Sequence, residues 1–449
     1  MAARALLITC VMIAATFTGC VSPEAPSTGP SGLIVDLNGA AEGSVEVGLG
    51  RVANLSVQSN TEYTIVPGPS IFVQDVDGVH RLGNVTFDAS VDEVRFLVVD
   101  SEAAGTDLVV RTRDMEVGFD LVFADQGIGL VDGERAYDTI DYLTSNHNNR
   151  WCADADFLGV SDYDEAAEAM EEAMWDMGFD HVEITNYPDD PAQKNIVGYN
   201  WGRVNPDEYI VVGGHFDIAY ALTPPGGGTQ EGANDDTSGS VVSLEMAQAL
   251  AQMEFDHTVV AALWACEEEG LLGSLAFVAN LPENVSVRSY LNFDMVALNY
   301  PILPVTAPLV GPGGEIFSPT VYDWSISIAG ASDANMNRMI DWVAATIEVD
   351  LAYQPTEANP IEWQIAESCA SDHCAFFSAG YPTFNFFSPG GDISFWQEWH
   401  SPSDTLEFMT AKAGGQEGME SGFNSLVWVA LDLFIRIDNA EDFHGNWME

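Results

Sequence analysis

The sequence predicts an α/β fold in which a mixed, mostly parallel sheet is flanked by helices and is preceded by a small all-β sandwich. Two observations lead to this fold class. After about residue 130 the chain alternates near-continuous apolar strands with helical segments, a pattern typical of a sheet covered on both faces. Before that point it consists of short strand-like pieces at the regular spacing of a β-sandwich.

Residues 33–128 are predicted to form the β-sandwich as an accessory domain. Pieces such as SVEVGL, VANLSVQ, EYTIV, VRFLVVD and GFDLVFA are rich in β-branched and aromatic residues, and Gly, Asn and Asp turns separate them. Such composition favours half-buried strands joined by turns. The sequence of this part contains no catalytic constellation.

Residues 130–440 are predicted to form the second domain. Ala and Met recur at helical spacing over 163–179, and HVEITNY and NIVGYN follow as strands. The strongest strands are expected at 208–214, 258–265, 289–293 and 381–387, with helices in SGSVVSLEMAQALAQM, NMNRMIDWVAATIE and NSLVWVALDLFIRI. Ligands of such sheets gather beyond the carboxyl ends of the strands.

The composition indicates a folded, strongly acidic protein of two domains. The 449 residues exceed what one core usually organises, and 47% hydrophobic and 10% aromatic residues argue against disorder. The 69 acidic residues face 14 basic ones, for a net charge of −55, which excludes nucleic acid as a partner. We interpret this charge as an adaptation to saline surroundings, which screen self-repulsion; the alternative is an ordinary acidic exported protein.

The first residues predict export. Residues 1–20 place Arg4 before an apolar run that ends in small residues, as in an export signal. The end of this run, Thr18-Gly19-Cys20, resembles a bacterial lipobox with Phe17 in place of the usual Leu, which would anchor Cys20 to a membrane by lipid. Residues 21–32 are rich in Pro, Ser and Gly and suit a tether. We therefore expect an extracytoplasmic protein, either a cell-surface lipoprotein or secreted.

Six cysteines fit an oxidising compartment without requiring a disulfide framework. Cys369 and Cys374 are close enough in sequence for a local bridge. Cys152 and Cys266 have no obvious partners in the sequence, and we expect them to be buried free thiols.

Residues able to bind metals follow several of the predicted strands. Each fits a solvated turn or a structural role when taken alone, but WAC before the Glu267-Glu268 pair and GLLGS after it form an apolar setting in which a carboxylate needs a partner or a cation. The predicted metal ligands are His215, Asp235, Glu268, Asp294 and His400.

These residue types suit two zinc ions that share a bridging carboxylate. Asp235 is expected to bridge, with His215 and Asp294 completing one ion and Glu268 and His400 the other. Co²⁺ or Mn²⁺ would also fit such ligands. A bridging water would then be activated for hydrolysis.

Two neighbouring carboxylates are predicted to be catalytic. Glu267 is expected to take a proton from the water and deliver it to the leaving amine. Asp217 is expected to accept the other imidazole N–H of His215 and to fix its tautomer. Asp404 either does the same for His400 or caps a turn.

Over residues 130–440 the motifs resemble the co-catalytic di-zinc aminopeptidases of metallopeptidase clan MH, of the bacterial leucyl aminopeptidase type. The matching blocks are GGHFD, GANDDTSG, EEEGLLGS, NFDM, SDHCAFFSAGYPT and HSPSDT, in the family's order. The resemblance implies the same five ligands, Glu267 as general base, Asp217 as partner of the histidine, an eight-stranded mixed sheet, and peptide substrates with a free N-terminus. It also implies a disulfide beside the substrate pocket, for which Cys369–Cys374 is a candidate.

The sequence departs from the family where many members carry an oxyanion-stabilising Tyr, since Trp399 and Ser368 stand in the corresponding places. Two alternatives remain open: a related carboxypeptidase and a noncatalytic surface-binding protein. Glutaminyl cyclases of this fold work with one zinc ion, whereas the predicted ligands suffice for two. A carboxypeptidase needs a cation for the substrate carboxylate, and we place Arg203 and Arg288 at the opposite edge of the sheet from the ligands. The aromatic segment 384–399 is a candidate pocket for an apolar N-terminal side chain, or simply loop packing.

Overall fold

The computed structural model describes residues 131–152, 162–185, 194–219, 231–297, 370–387, 399–441 and 443, mostly with their side chains, and elsewhere separate strands and one helix. The predicted export signal (1–20) and tether (21–32) lie outside the described residues. None of the helices in the described part of the chain has the length and apolar character needed to cross a membrane.

In the first part of the chain the structure describes ten strands in two antiparallel sheets. The six-stranded sheet has the order β1-β10-β3-β8-β5-β6, and the four-stranded sheet has the order β2-β9-β4-β7. Face-to-face packing of these sheets as a sandwich, and the division of the chain into domains, stay predictions. The strands are β1 (Leu33–Asp36), β2 (Glu42–Glu46), β3 (Arg51–Gln58), β4 (Tyr63–Val66), β5 (Ile71–Asp75), β6 (Gly78–His80), β7 (Val85–Phe87), β8 (Glu93–Val98), β9 (Asp107–Thr112) and β10 (Asp120–Gly129).

The second part contains the predicted mixed sheet, with eight strands in the order β11-β12-β14-β13-β15-β20-β18-β19. The four central strands, β14, β13, β15 and β20, are parallel to one another, whereas β11, β12 and β18 introduce antiparallel pairs. A two-stranded sheet pairs β16 with β17. The bounds are β11 (His181–Ile184), β12 (Ile196–Asn200), β13 (Asn205–His215), β14 (His257–Trp264), β15 (Ser286–Asp294), β16 (Leu309–Val310), β17 (Ile316–Phe317), β18 (Ser325–Ala329), β19 (Glu362–Ile365) and β20 (Thr383–Phe387).

Helices cover both faces of the eight-stranded sheet. On one face Ile210, Val212 and Leu263 belong to a core that includes α1, α2, α3 and α8, and on the other Val211 and Val260 pack with α4 and α6. Successive strand residues therefore enter opposite cores, as the apolar runs predict. The helices are α1 (Gly133–Asn146), α2 (Asp162–Met177), α3 (Gly239–Leu250), α4 (Leu272–Ala279), α5 (Asp333–Asp350), α6 (His373–Ser378), α7 (Leu406–Lys412) and α8 (Gln416–Asp438).

The predicted strands and long helices are present, with shifted ends. α8 begins at Gln416, eight residues before the apolar run used to predict it. Sequence reasoning missed α1, although Asp132 is a cap signal, since its carboxylate accepts the N–H groups of Glu134 and Arg135. It also missed α4, whose apolar composition lacks a polar face.

A buried ion pair joins α1 to α3. Arg135 Nε and Nη2 lie 2.8 and 2.6 Å from the two carboxylate oxygens of Glu245, which also accepts the N–H of Asp132. The side chains are only 16% and 4% exposed. Glu245 would lose both charged donors if Arg135 were removed, and an uncompensated buried carboxylate is costly.

We expect Arg135→Ala to lower the free energy of unfolding by about 3 kcal/mol, measured by urea denaturation at neutral pH. Arg203→Ala is the matched control, because Arg203 pairs with Asp256 where both side chains are about one third exposed; such a pair contributes at most about 1 kcal/mol. Equal losses in the two variants would contradict the prediction.

Candidate metal centre

The register of the parallel strands brings the predicted ligands to one edge of the sheet. His215 is the last residue of β13 and lies beside Trp264, the last residue of β14. Glu267 and Glu268 follow the end of β14 after two residues, and Asp294 ends β15, the other neighbour of β13. Three parallel strands thus end together, and the side chains just beyond them converge.

Asp235 lies between the two predicted histidine ligands. Its Oδ1 is 3.4 Å from Nε2 of His215, and its Oδ2 is 3.1 Å from Nε2 of His400. His400 is also 2.9 Å from Oε2 of Glu268. One oxygen of Asp235 therefore faces each histidine, which is the arrangement that a bridging carboxylate requires.

The remaining predicted residues belong to the same cluster. Ligand atoms of His215, Glu267 and Asp294 lie within 4.8 Å of one another, as do those of His215, Asp235 and Glu268. Oε2 of Glu267 is 3.9 Å from Nε2 of His215. The structure thus brings together all five predicted ligands and Glu267, the predicted base.

Asp217 does more than contact the histidine. Nδ1 of His215 is 3.2 Å from the carbonyl oxygen of Asp217 and 3.4 Å from its Oδ1. The two carboxylate oxygens also accept the backbone N–H groups of Glu267 and Glu268, at 3.0 and 3.2 Å. Asp217 therefore links the end of β13 to the turn that carries the predicted base and a ligand.

Two further aspartates hold the backbone around the cluster. Asp404 accepts the N–H groups of Asn234 and Asp235 at 2.8 and 3.0 Å, so in the structure it supports the Asp235 segment. Asp236, which sequence reasoning did not assign, accepts N–H groups of His215, Gly239 and Met295. Its only sequence signal was its position beside Asp235.

Several turns at this edge have a left-handed backbone. Cys266, Met295 and His400 have φ values of 55°, 53° and 51°, a conformation that non-glycine residues rarely adopt. Cys266 precedes Glu267, Met295 follows Asp294, and His400 is a predicted ligand. Strain of this kind concentrates at functional sites, where it aims side chains that a relaxed turn would direct elsewhere.

The carboxylates of the cluster are crowded together away from water. Burial, together with the neighbouring Asp235 carboxylate, raises the pKa of Glu268 to about 8. Burial likewise raises the pKa of Asp294 to about 6 and that of Glu267 well above its usual range. Burial by itself would lower the pKa of His400. Its contacts with the carboxylates of Asp235 and Glu268 have the larger, opposite effect, and the pKa is raised to about 9. A cation among these groups would stabilise the ionised carboxylates and the neutral form of His400.

The donor set fits zinc. Oε1 of Glu268 is buried and makes no hydrogen bond, and a buried carboxylate oxygen without a donor is a position that a cation fills. Two imidazoles and three carboxylates provide the N and O ligands that Zn²⁺ accepts. The observed cluster therefore supports a metal centre formed by the residues that the sequence predicted.

The expectation of free thiols at Cys152 and Cys266 was wrong, because the two form a disulfide with their Cα atoms 5.3 Å apart. They are 114 residues apart in sequence, and the packing of the segment after α1 against the end of β14 brings them together. Cys374 is also disulfide-bonded. Its expected partner, Cys369, lies outside the described residues.

The predicted aromatic pocket is described only at its ends. Residues 384–387 belong to β20, and Trp399 stacks on the ring of His400 with centroids 3.7 Å apart. The rest of the segment and Ser368 lie outside the described residues. The pocket therefore stays a prediction. The stacking of Trp399 on His400 explains an aromatic residue at position 399 without a role in substrate binding.

A mixed sheet covered by helices, with the predicted ligands beyond its strand ends, agrees with the predicted zinc-exopeptidase fold. Residues 195–417 match the model of peptidase family M28, and through this segment the chain belongs to that family. The matched segment includes every predicted ligand, the predicted base and Asp217.

Individual relatives match part of the chain. A probable zinc metalloprotease of Pyrenophora tritici-repentis is 30% identical over 245 residues, 51% of this chain and 55% of the relative. A probable leucine aminopeptidase 2 of Aspergillus fumigatus is 30% identical over 197 residues, 43% of this chain and 33% of the relative. The chain thus spans about half or less of the length of these curated relatives. The crystal structure of the LapA aminopeptidase of Legionella pneumophila has a TM-score of 0.48 at 18% identity, covering 69% of this chain and 72% of that one.

Proposed function

We propose that this protein is an exported zinc-dependent aminopeptidase, which removes N-terminal residues from peptides with the help of two zinc ions. The observation that carries the proposal is the position of Asp235, with one carboxylate oxygen facing His215 and the other facing His400. His215 and Asp294 would hold one ion, and Glu268 and His400 the other. When bound, the ions would supply the Lewis acidity that polarises the scissile carbonyl and lowers the pKa of a coordinated water.

Glu267 is the general base in this proposal. Its carboxylate is buried beside His215, and its raised pKa suits a group that accepts a proton and then gives it up. It would take the proton from the attacking water and return it to the leaving amine. Asp217 fixes the backbone of Glu267 and the orientation of His215.

A substrate with a free α-amine suits the charge of this site. Arg203 and Arg288 lie near the start of the parallel strands, where they bond Asp256 and the carbonyl oxygen of Ile437, far from the carboxyl ends that carry the ligands. Arg150 is buried at the site, and protein oxygens accept its N–H groups. An acidic cluster with no available cation among the described residues favours a substrate amine over a substrate carboxylate.

Location outside the cytoplasm belongs to the same proposal. The signal-like residues 1–20 and the lipobox-like end at Cys20 support export and lipid anchoring. The Cys152–Cys266 disulfide also suits an oxidising compartment. The lipid anchor is tested by mass spectrometry of the protein from the membrane fraction. We expect a mature chain whose first residue is an acylated Cys20.

The test of activity is hydrolysis of Leu-arylamide at several salt concentrations, beside the same compound with a blocked amine. We expect cleavage of the free amine only, with about two zinc ions per chain by elemental analysis. Bound metal with cleavage only of substrates that have a free carboxyl terminus would instead identify a carboxypeptidase. A chain without bound metal or hydrolysis would favour the binding-protein alternative.

A further inference from the structure

Arg150 lies at the candidate site, although it is none of the predicted site residues. Its side chain is buried, with the whole residue 1% exposed, in a chain that has only 14 basic residues. Burial lowers the pKa of Arg150 to about 10, so the guanidinium remains charged at neutral pH. Keeping a charge away from water is costly unless its donors are occupied.

The guanidinium bonds to the loop that carries His215. Its Nε donates to the carbonyl oxygen of Phe216 at 2.9 Å, and Phe216 lies between His215 and Asp217. The backbone carbonyl of Arg150 also accepts the N–H of Ile218 at 3.3 Å. Arg150 therefore fixes this loop from two sides.

The same guanidinium reaches the segment that carries Asp235. Its Nη2 donates to the hydroxyl of Thr237 and to the carbonyl oxygen of Glu231, the latter at 3.4 Å. These two residues lie on either side of Asp235 in the sequence. Nη1 donates to the carbonyl oxygen of His147 at 2.6 Å, which ties the group to the end of α1.

The charges around Arg150 belong to residues that support the cluster. Asp217, Asp404 and Asp236 interact with it electrostatically, as does Asp162. The first three accept backbone N–H groups of the turns that carry the ligands. Arg150 thus supplies a positive charge beside the carboxylates that hold the ligand backbone.

We propose that Arg150 is a positioning residue, whose planar guanidinium sets the separation between the His215 loop and the Asp235 segment and so holds both ligands at metal-binding distance. The kinetic test of this role of Arg150 rests on the proposed function, because it needs peptidase activity. The measurement of zinc affinity does not depend on that activity. Lysine would keep the charge, but its single ammonium cannot reach Phe216 and Thr237 in the fixed directions of the guanidinium.

The test compares Arg150→Lys and Thr237→Val with Arg203→Lys in the full chain. Thr237→Val leaves Arg150 in place but removes the hydroxyl that accepts from Arg150 and donates to the carbonyl oxygen of Gly232. Arg203 is a control because it bonds Asp256 away from the site. Zinc affinity is measured by competition with a chelator, ligand geometry by the absorption spectrum of the Co²⁺-loaded protein, and folding by urea denaturation. Hydrolysis of Leu-arylamide gives kcat and KM.

We expect both site variants to lose about 10- to 100-fold in zinc affinity and in kcat, with an altered Co²⁺ spectrum and little change in KM. Arg203→Lys should match the wild type. Folded variants that bind zinc as the wild type does would overturn the proposal, even if their unfolding midpoints fall, because that result describes a purely structural role. If Arg150→Lys does not fold, Thr237→Val decides by the same criteria. If the wild type binds zinc but does not cleave peptides, the proposed function is wrong. The role of Arg150 is then decided by the zinc affinities of the variants alone.

Discussion

Glu267→Gln is expected to lower kcat for Leu-arylamide by about 10²- to 10⁴-fold, the contribution typical of a positioned general base. Glutamine has the size of glutamate but cannot take up a proton from water at neutral pH. KM and zinc content should stay close to the wild-type values, because the five predicted ligands are unchanged. Steady-state kinetics and elemental analysis on the same preparation measure both.

Glu268→Gln provides a sharp contrast, because Glu268 is the adjacent residue in the same turn. Its Oε2 lies 2.9 Å from His400, and its Oε1 is buried without a hydrogen bond. We expect this variant to lose zinc affinity by about 100-fold or more, with activity that recovers partly at high zinc concentration. Glu283→Gln, on an exposed turn before β15, controls for loss of one negative charge. If Glu267→Gln lost zinc and Glu268→Gln retained it, the two assigned roles would have to be exchanged.

Three of the predicted ligands could be found because each stands at or shortly after the end of a readable strand. His215, Glu268 and Asp294 follow apolar runs, and parallel strands in one sheet bring their carboxyl ends to one edge. Asp235 and His400 do not follow a strand directly. They were identified from their motifs, and the structure places them against each other.

The residues that hydrogen-bond to the segments carrying these ligands could not be predicted from the sequence in the same way. Arg150 bonds Phe216, and Asp404 bonds Asp235, across 66 and 169 positions of sequence. Such contacts follow from how loops pack once the sheet has formed, and hydrophobic periodicity carries no information about them. The same limit explains why the two buried cysteines looked unpaired.

The Cys152–Cys266 disulfide connects the segment that contains Arg150 to the turn that carries the predicted base, Glu267. Cys152 lies two residues after Arg150, and Cys266 lies directly before Glu267 with a left-handed backbone. Both residues are buried, at 3% and 0% exposure. The bond therefore holds the Glu267 turn against the same segment that contacts the His215 loop and the Asp235 segment.

Replacing both cysteines, as Cys152→Ala with Cys266→Ala, is expected to lower the free energy of unfolding by about 5 kcal/mol. The expectation follows from the 114 residues between the two positions, because a long cross-linked loop removes much of the entropy of the unfolded chain. Alanine avoids placing a hydroxyl in an apolar site. Urea denaturation with and without a reductant measures the change, and reduction should destabilise the wild type to a similar extent.

The same double variant distinguishes two roles of the disulfide, one in stability and one in holding Glu267 in place. Constraint of the unfolded chain affects stability alone, whereas displacement of Glu267 by even a small distance lowers kcat, by about 10-fold or more. We expect both losses under conditions where the variant is folded. The reductant should cause only a small further change in the double variant, and that change reports on the second disulfide, at Cys374. Reduced stability with unchanged kcat would mean that Asp217 and Arg150 hold the catalytic turn without the disulfide, and unchanged stability would contradict the prediction.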